Sequence, residues 1–249
     1  MFSIVGLFAL SVAAWHNGRI VGGYAVTPES KYPWILSLAL MGSHQCGGMA
    51  YSKDIVLTAA HCTIFDDDDW TVRFRHYNLE DKPMHEFKVV KRRRHPEYNH
   101  KKFDLNDIAL WKIKGSFNLD AYVTIDKDSI SNSEGRLLKV AGWGNLHEAE
   151  HGNNKLMEVQ IPTFNIKKCV DVLGAENKVV DPKAMFCAGF PEGGKDACYG
   201  DSGGPIFTIK GNSPVIVGIV SWGVGCAKPG LPGVFTRLDA YSDFIKTSI

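Results

Sequence analysis

Short runs of β-branched and aromatic residues, separated by glycine-containing turns, recur along most of the chain. Examples are KYPWILSLAL, LLKVAGWG and PVIVGIVSWG, and 25 of the 249 residues are glycine. Runs this short between turn residues are typical of strands. The pattern predicts an all-β protein built as two barrels or two sandwiches, with polar residues 115–135 as the linker between the halves.

The last residues are an exception to this pattern. Leu238, Tyr241, Phe244 and Ile245 fall on one face at a spacing of about 3.6 residues. Asp239 is placed where it can cap such a segment. We therefore expect a C-terminal helix packed on the outside of the β-structure.

An uncharged apolar run, Phe2–Ala14, ends in small residues that suit a signal-peptidase site. The run is too short to span a bilayer and fits a secretory signal, although a buried strand or an anchor helix is the alternative. No second apolar stretch approaches membrane length. The sequence thus predicts a secreted, extracellular protein with residues 1–14 as signal peptide and no membrane partner.

Charge and cysteine content narrow the function further. The formal net charge is +1, which gives no reason to expect a nucleic-acid partner. Six cysteines in a secreted chain imply three disulfides, and their pairing is open among 15 connectivities. No two cysteines have the spacing of a zinc site, so we expect neither a metal nor a cofactor.

Three short motifs carry the residue types needed for nucleophilic catalysis. Ser202 lies in GDSGGP, His61 in TAAHC and Asp107 in NDIAL. A serine hydroxyl is a poor nucleophile until a base takes its proton, and that base needs an orienting partner. Each motif alone is weak evidence, since isolated histidines are usually structural, but the three together predict a hydrolase.

These motifs, with IVGG near the start and SWG near the end, resemble those of trypsin-like members of the chymotrypsin family. The resemblance covers residues 20–249 and implies two six-stranded antiparallel barrels, a C-terminal helix and a monomer. It implies that Ser202 attacks the scissile carbonyl, that His61 moves the proton and that Asp107 orients His61. It also implies an oxyanion hole made by the backbone N–H groups of Gly200 and Ser202.

The resemblance extends to substrate choice. Asp196 matches the residue at the base of the S1 pocket, where a buried carboxylate calls for Arg or Lys at P1. Gly223 and Gly233 match the small residues of the pocket wall. Trp222 is expected to floor the adjoining subsites, and the backbone from Ser221 onward to pair with extended substrate. The alternative is that Asp196 is a plain surface turn residue.

Activation is implied in the same way. Cleavage between Arg19 and Ile20 removes residues 15–19 and frees an α-amino group, which then pairs with Asp201 and organises the site. His44 matches a family histidine that holds the same aspartate in the precursor. The cut follows Arg, so the enzyme is able to activate itself.

The resemblance also implies a pairing for the cysteines. All six are used, and no cysteine tethers the released propeptide, a pattern similar to that of invertebrate trypsins. The implied pairs are Cys46 with Cys62, Cys169 with Cys187, and Cys198 with Cys226.

Several positions depart from the family pattern. Tyr199 replaces the usual Gln at the pocket mouth, where it either narrows the entrance or is a harmless exposed aromatic. Asp104, a weaker rival to Asp107 for the acidic role, falls at the border of S2 and favours basic or polar P2 residues. His76 stands where the calcium loop has its first acidic ligand, so we expect no strong calcium site.

Two charged runs have both a functional and an ordinary explanation. Asp66–Asp69 lies near the primed subsites and either attracts basic residues or is a solvated loop. Arg92, Arg93 and Arg94, with lysines nearby, suit an anionic partner such as a heparin-like chain. A solvated face or a self-cleavage site is the interpretation that we favour for the basic run.

The expected function is a secreted, zymogen-activated serine endopeptidase acting on proteins and peptides and inhibited by protein protease inhibitors. The short propeptide favours a broad, digestive-type enzyme. The alternatives are a regulatory, immune or venom protease of narrow specificity and, less readily, a non-catalytic binding homologue.

Overall fold

The computed structural model describes residues 20–63, 69–145 and 154–247. The predicted signal peptide and propeptide, including Arg19, lie outside the described residues, as do Asp66 to Asp68 of the acidic run. The described chain consists mostly of short antiparallel strands, in two sheets that meet along one seam.

The first half of the chain forms a closed barrel of six strands. Along the barrel the order is β2–β3–β4–β7–β6–β5, and every pairing is antiparallel. The strands are β2 (Ile35–Leu40), β3 (Ser43–Ala50), β4 (Ile55–Thr58), β5 (Trp70–Phe74), β6 (His85–Arg94) and β7 (Ala109–Ile113), after a two-residue β1 (Tyr24–Ala25). In β5 the alternate residues Trp70, Val72 and Phe74 are buried, the period-2 pattern of a strand with one face on the core.

The second half forms one sheet of eight strands in the order β1–β10–β9–β12–β13–β14–β11, with β8 on the side of β13. Its members after β1 are β8 (Thr124–Ile125), β9 (Leu137–Gly142), β10 (Met157–Pro162), β11 (Met185–Ala188), β12 (Pro205–Lys210), β13 (Ser213–Trp222) and β14 (Gly233–Arg237). An isolated bridge between Thr163 and Ala188 joins the end of β10 to β11. The six longer strands therefore curl almost into a second barrel.

The predicted linker is less irregular than its polar composition suggests. Between β7 and β9 it contains β8, which pairs parallel with β13, and a turn of 3-10 helix at Ile130–Asn132. The segment thus adds an edge to the second sheet while it connects the two halves.

The prediction of a C-terminal helix is confirmed. A 3-10 turn at Leu238–Tyr241 leads into α2 (Ser242–Lys246), and the four predicted apolar residues are all buried. The capping role expected for Asp239 is wrong, because Arg237 holds the N-cap position. The Asp239 carboxylate instead pairs with Arg237 at 2.9 Å and accepts from Ser129 Oγ at 2.8 Å.

A second helix, α1 (Ile166–Ala175), was not expected from the sequence. Asn165 caps it, accepting a hydrogen bond from the Lys168 backbone N–H at 3.0 Å. Cys169 and Leu173 are its buried residues, four positions apart on one face. Asn165 followed by apolar residues at helical spacing is the signal that identifies it.

Three disulfides, one in the first barrel and two in the second half, join all six cysteines. The pairs are Cys46–Cys62, Cys169–Cys187 and Cys198–Cys226. They are the pairs that the family resemblance implies.

Candidate active site

Asp107 lies on the seam between the two halves, just before β7, and is 1% exposed. Its Oδ1 accepts from the His61 backbone N–H at 2.9 Å, and its Oδ2 lies 2.7 Å from His61 Nδ1. From the second half, Ser221 Oγ donates to Oδ2 at 2.6 Å, and Thr236 Oγ1 donates to the Asp107 carbonyl at 2.9 Å. Groups from both halves therefore fix this carboxylate.

His61 follows β4 and begins a single 3-10 turn. Burial of its ring disfavours the imidazolium, but the charge of Asp107 and its hydrogen bond, with a smaller contribution from Asp104, raise the pKa of His61 above its ordinary value. The Nδ1 position is held by Asp107, which leaves Nε2 as the nitrogen that can exchange a proton with a neighbouring group.

The turn that carries Ser202 packs directly against the His61 segment. A Cβ atom at Gly203 would lie 2.3 Å from Thr58 Oγ1 and 3.0 Å from Cys62 Sγ, so only glycine allows this approach. The Gly47 backbone N–H donates to the Ser202 carbonyl at 2.8 Å and ties the same turn to β3. The GDSGGP and TAAHC motifs, distant in sequence, therefore meet.

Two backbone donors of the Ser202 turn are free within the part of the chain that the structure describes. Asp201 and Gly203 each donate a backbone hydrogen bond at 2.9 Å, whereas the N–H groups of Gly200 and Ser202 have none. Gly200 has φ +95°, a conformation that favours glycine. Free N–H groups next to a serine hydroxyl suit an oxyanion.

His44 lies behind this turn. Its Nε2 donates to the Gly200 carbonyl at 2.9 Å, and its Nδ1 accepts from Ser37 Oγ at 2.8 Å. Burial lowers the pKa of His44 to about 4, so the ring is neutral near pH 7 and suits this pair of bonds. The contact fixes the peptide of Gly200; the role implied for His44 in the precursor stays a prediction.

A cavity of about 190 Å³ opens beside Ser202. The structure places all the residues predicted for substrate binding along it: Asp196, Ser221, Trp222, Gly223 and Gly233. Sequence reasoning missed Ala197 and Gly225, which also line it. Both sit beside predicted residues in the same two segments, so neighbouring small residues were the available signal.

Asp196 is 4% exposed at this cavity. Its Oδ1 accepts from the Ala197 backbone N–H at 2.8 Å and its Oδ2 from the Ala227 backbone N–H at 3.0 Å. Burial, opposed by these two bonds, raises the pKa of Asp196 to about 7. A Cβ atom at Gly233 would lie 2.8 Å from Oδ1, so any larger residue there would cover the carboxylate.

Asp201, the residue before Ser202, is a second buried carboxylate. The Gly144 and Cys198 backbone N–H groups donate to it at 2.8 and 2.9 Å, and burial raises its pKa to about 6. No cationic side chain among the described residues pairs with it. Ile20, the first described residue, is fully buried, and Val21 forms an isolated bridge with Asp196.

Aromatic residues border the cavity on two sides. Tyr199 is 61% exposed and lines both this cavity and an adjoining one of about 500 Å³ that contains Gly200. Phe103, which sequence reasoning missed, packs its ring 6.0 Å from that of Trp222. Asp104 beside it turns its carboxylate to Tyr98 Oη and His100 Nδ1. The aromatic ring of Phe103, rather than the carboxylate of Asp104, is thus in contact with Trp222.

Three of the polar residues between positions 76 and 86, the segment in which no strong calcium site is expected, form internal hydrogen bonds. His76 Nε2 donates to the Asp81 carbonyl at 2.8 Å, and Glu86 Oε1 accepts from Arg73 Nε at 2.9 Å. Glu80 accepts from Asn154 Nδ2 at 2.6 Å. The sulfurs of Cys46 and Cys62, which lie near His61, are joined in a disulfide and offer no thiolate to a metal.

Two of the three arginines in the basic run on β6 pack against aromatic rings of the protein. Arg93 Nη1 donates to Thr247 Oγ1 at 2.7 Å and stacks 4.9 Å from the Phe244 ring, which fastens α2 to the first barrel. The Arg92 guanidinium lies 5.9 Å from the Trp111 ring. Arg94 is exposed. Among the described residues, no helix is long and apolar enough to cross a membrane.

A closed barrel facing a curled sheet, with a His–Asp pair and a serine turn along their seam, is the arrangement of the chymotrypsin fold. The trypsin family model matches residues 20–245 of this chain. The chain is 37% identical over 255 residues to the vitellin-degrading protease of Bombyx mori, covering 100% of this chain and 92% of that protein.

Two further relatives are trypsins by name. Trypsin 5G1 of Aedes aegypti is 37% identical over 234 residues, 92% of this chain and 85% of that protein. Trypsin-2 of Salmo salar is 35% identical over 239 residues, 95% of this chain and 97% of that protein. The chain belongs to the trypsin family and is a serine endopeptidase, so the predicted fold and enzyme class are confirmed.

Proposed function

We propose that this endopeptidase is made as a secreted, inactive precursor and, once cut, hydrolyses peptide bonds after Arg or Lys. The observation that carries the specificity is the burial of the Asp196 carboxylate at a cavity, where it has two backbone donors and no cationic partner among the described residues. A charge buried without a partner is costly, so a substrate that brings a cation gains binding energy that a neutral one does not.

In the proposed reaction, Ser202 Oγ attacks the carbonyl carbon at P1 while His61 Nε2 takes its proton. The Asp107 carboxylate, bonded to Nδ1 at 2.7 Å, holds the ring and stabilises the imidazolium. The N–H groups of Gly200 and Ser202 hold the oxyanion. His61 then gives the proton to the leaving amine as the C–N bond breaks, and water hydrolyses the acyl-enzyme by the same steps.

A panel of fluorogenic amides that differ only at P1 tests the specificity. Arg and Lys amides are expected to be cleaved rapidly by the activated enzyme, and Phe and Leu amides hardly at all. Faster cleavage of the Phe or Leu amide would overturn the assignment of Asp196.

Activation is the second part of the proposal. Ile20 is fully buried, and no described residue gives Asp201 a cationic side-chain partner, which supports a released α-amino group as its counter-ion. Secretion as a precursor with segments 1–14 and 15–19 rests on the sequence pattern. An Arg19→Gln protein is expected to be inactive on peptides even after trypsin treatment; full activity would remove the zymogen proposal.

The physiological role has two candidates. The first is a broad, digestive-type enzyme that acts as a monomer. Narrow specificity is the second candidate, since Tyr199 and Phe103 border the cleft with exposed or partly exposed aromatic surface. Cleavage of a peptide library drawn from a whole proteome separates the two, because a digestive enzyme cuts most Arg and Lys sites and a regulatory one a small subset.

An anionic partner at Arg92, Arg93 and Arg94 has little support from the contacts. Two of the three guanidinium groups pack on aromatic rings of the protein itself. A solvated face therefore remains the better explanation. Salt-sensitive retention on heparin, lost when the three arginines are changed to serine, would reverse that judgement.

A further inference from the structure

A second groove lies beyond the S1 cavity, on the other side of Phe103. Its volume is about 560 Å³, and segments 101–105 and 179–185 line it. Leu105, Val180 and Met185 give it apolar walls. It is large enough for one or two side chains of a bound peptide.

Phe103 connects this groove to the substrate cleft. Its ring lies 6.0 Å from that of Trp222, which lines the S1 cavity, and the ring also lines the groove. Lys178, next to the lining residue Val179, has its Nζ 5.3 Å from the Phe103 ring centroid. A chain that leaves the S1 region past Trp222 therefore meets Phe103 first and the ammonium group of Lys178 next.

The rim of the groove carries a surplus of positive charge. Lys101 and Lys102 are exposed, and no carboxylate in the described part of the chain pairs with either. Asp181 is the acidic residue in the lining, and its Oδ1 accepts from the Lys183 backbone N–H at 2.9 Å. The lining therefore has two lysines and one carboxylate, and Lys178 adds a third cation beside Phe103.

A second acidic side chain adjoins the groove without lining it. Asp104, next to Phe103, turns its carboxylate toward Tyr98 Oη and His100 Nδ1, at 2.5 and 2.8 Å. Its side chain is 16% exposed. The groove is therefore left with apolar walls and a cationic rim, a combination that complements apolar and acidic side chains.

We infer that this groove binds the part of a protein substrate that precedes the scissile bond, and selects Asp or Glu at P4 and P5. The inference rests on the proposed function, in which P1 enters the S1 cavity and the preceding residues pair with Ser221–Gly223. Three extended residues at about 3.3 Å each cover that strand end, so the fourth and fifth reach Phe103 and the lysines.

The test compares internally quenched peptides that share P3 to P2′, with Arg at P1, and differ at P4 and P5. Asp-Asp, the isosteric neutral Asn-Asn and the repulsive Lys-Lys are the three members. For exposed charge pairs, kcat/KM is expected to rise about 3–10-fold from Asn-Asn to Asp-Asp at low ionic strength. The gain is expected to shrink to below about twofold in 1 M NaCl, where screening is strong.

The variant Lys101→Gln/Lys102→Gln, and separately Lys178→Gln, should each lose part of the Asp-Asp advantage and leave Asn-Asn cleavage unchanged. Lys167→Gln/Lys168→Gln is the matched control, because it removes an adjacent exposed lysine pair on α1 that does not line the groove. It should leave the ratio of Asp-Asp to Asn-Asn cleavage as in the wild type.

Equal cleavage of Asp-Asp and Asn-Asn peptides by the wild type would overturn the inference. So would an equal loss in the control variant, since that would show an effect of net charge alone. Failure of the P1 proposal gives a different result, which is poor cleavage of every peptide with Arg at P1. The peptides that differ at P4 and P5 can then be made with the P1 residue that the enzyme accepts, and they still test the groove.

Discussion

The seam around Asp107 and the cavity around Asp196 both bury a carboxylate, but they complete its hydrogen bonding differently. Asp107 has three donors on its two oxygens, two from His61 and one from Ser221. Asp196 has two backbone donors and open space beside it. The Asp107 carboxylate thus forms its hydrogen bonds within the protein, whereas the Asp196 carboxylate can form further bonds with a bound ligand.

The difference corresponds to two roles: Asp107 orients His61, and Asp196 is proposed to bind the substrate. A carboxylate bonded on every side orients its neighbour and binds nothing else. A carboxylate with part of its bonding capacity unused is unstable in the free enzyme, and a cation that enters relieves the cost. Three substitutions and one ligand titration test each half of that contrast, from the largest expected effect to the smallest.

Asp107→Asn removes the acceptor that fixes His61. An amide presents an N–H to Nδ1 in place of a carboxylate oxygen, which favours the wrong tautomer, and in serine proteases the equivalent change lowers kcat about 10⁴-fold. Steady-state assays with an Arg amide near pH 7 measure kcat. Near-ultraviolet circular dichroism shows whether the fold is kept. A loss under tenfold would mean that Asp107 does not orient the base.

Asp196→Asn removes the charge from the cavity. Cleavage of Arg amides is expected to fall about 10²–10³-fold in kcat/KM, as when one member of a buried charge pair is lost. The catalytic apparatus is untouched, so reaction with a small uncharged serine-directed acylating agent should stay within about twofold.

The same variant has a stability signature. Burial raises the pKa of Asp196 to about 7 in the folded protein, whereas the unfolded chain has the ordinary, lower pKa. Between these two pKa values only the unfolded chain is ionised, so the free energy of unfolding falls as the pH rises through that range. Asp196→Asn should therefore raise the Tm at pH 8 and leave it nearly unchanged at pH 4, where the folded-state carboxyl is already protonated. An equal Tm shift at both pH values would contradict this.

Binding of benzamidine, a small amidinium cation, sharpens the comparison by pH. Because a protonated Asp196 offers no charge, the affinity should be full above pH 7 and weaken by up to about tenfold per pH unit below it. Fluorescence titration from pH 8 to pH 5 measures the trend. Asp196→Asn, which has no carboxyl to titrate, should bind weakly and without this slope.

Ser221→Ala deletes one of the three donors to Asp107. A single hydrogen bond is worth about 1 kcal/mol net, so kcat is expected to fall about fivefold, with KM little changed since the Ser221 backbone remains. The size of the drop measures how complete the bonding of Asp107 must be. No change in kcat would indicate that the two bonds from His61 suffice.

The sequence predicted the fold class and the approximate position of the site because those depend on local signals. Strand runs, the helix face at Leu238 to Ile245 and the motifs around His61, Asp107 and Ser202 are each read from a few adjacent residues. The donors to Asp107 from Ser221 and Thr236 were not predicted, since they come from strands more than a hundred residues away.

Phe103 shows the other limit of sequence reasoning. The position near S2 was assigned to Asp104 by counting back from Asp107. In the structure Phe103 and Asp104 both have positive φ, and this local backbone turns the ring to Trp222 and the carboxylate away. A conformation of that kind in non-glycine residues is not encoded in spacing.

The bonds that Ser221 and Thr236 give to Asp107 have a consequence for how the molecule is assembled and how it evolves. In a molecule whose first half alone has folded, the Asp107 carboxylate and carbonyl lack these partners, so the proposed proton relay is complete only after the halves dock. Activity is therefore a direct reporter of docking during refolding. Exchange of one half with that of a relative would have to keep a hydroxyl at both positions for the hybrid enzyme to retain this bonding.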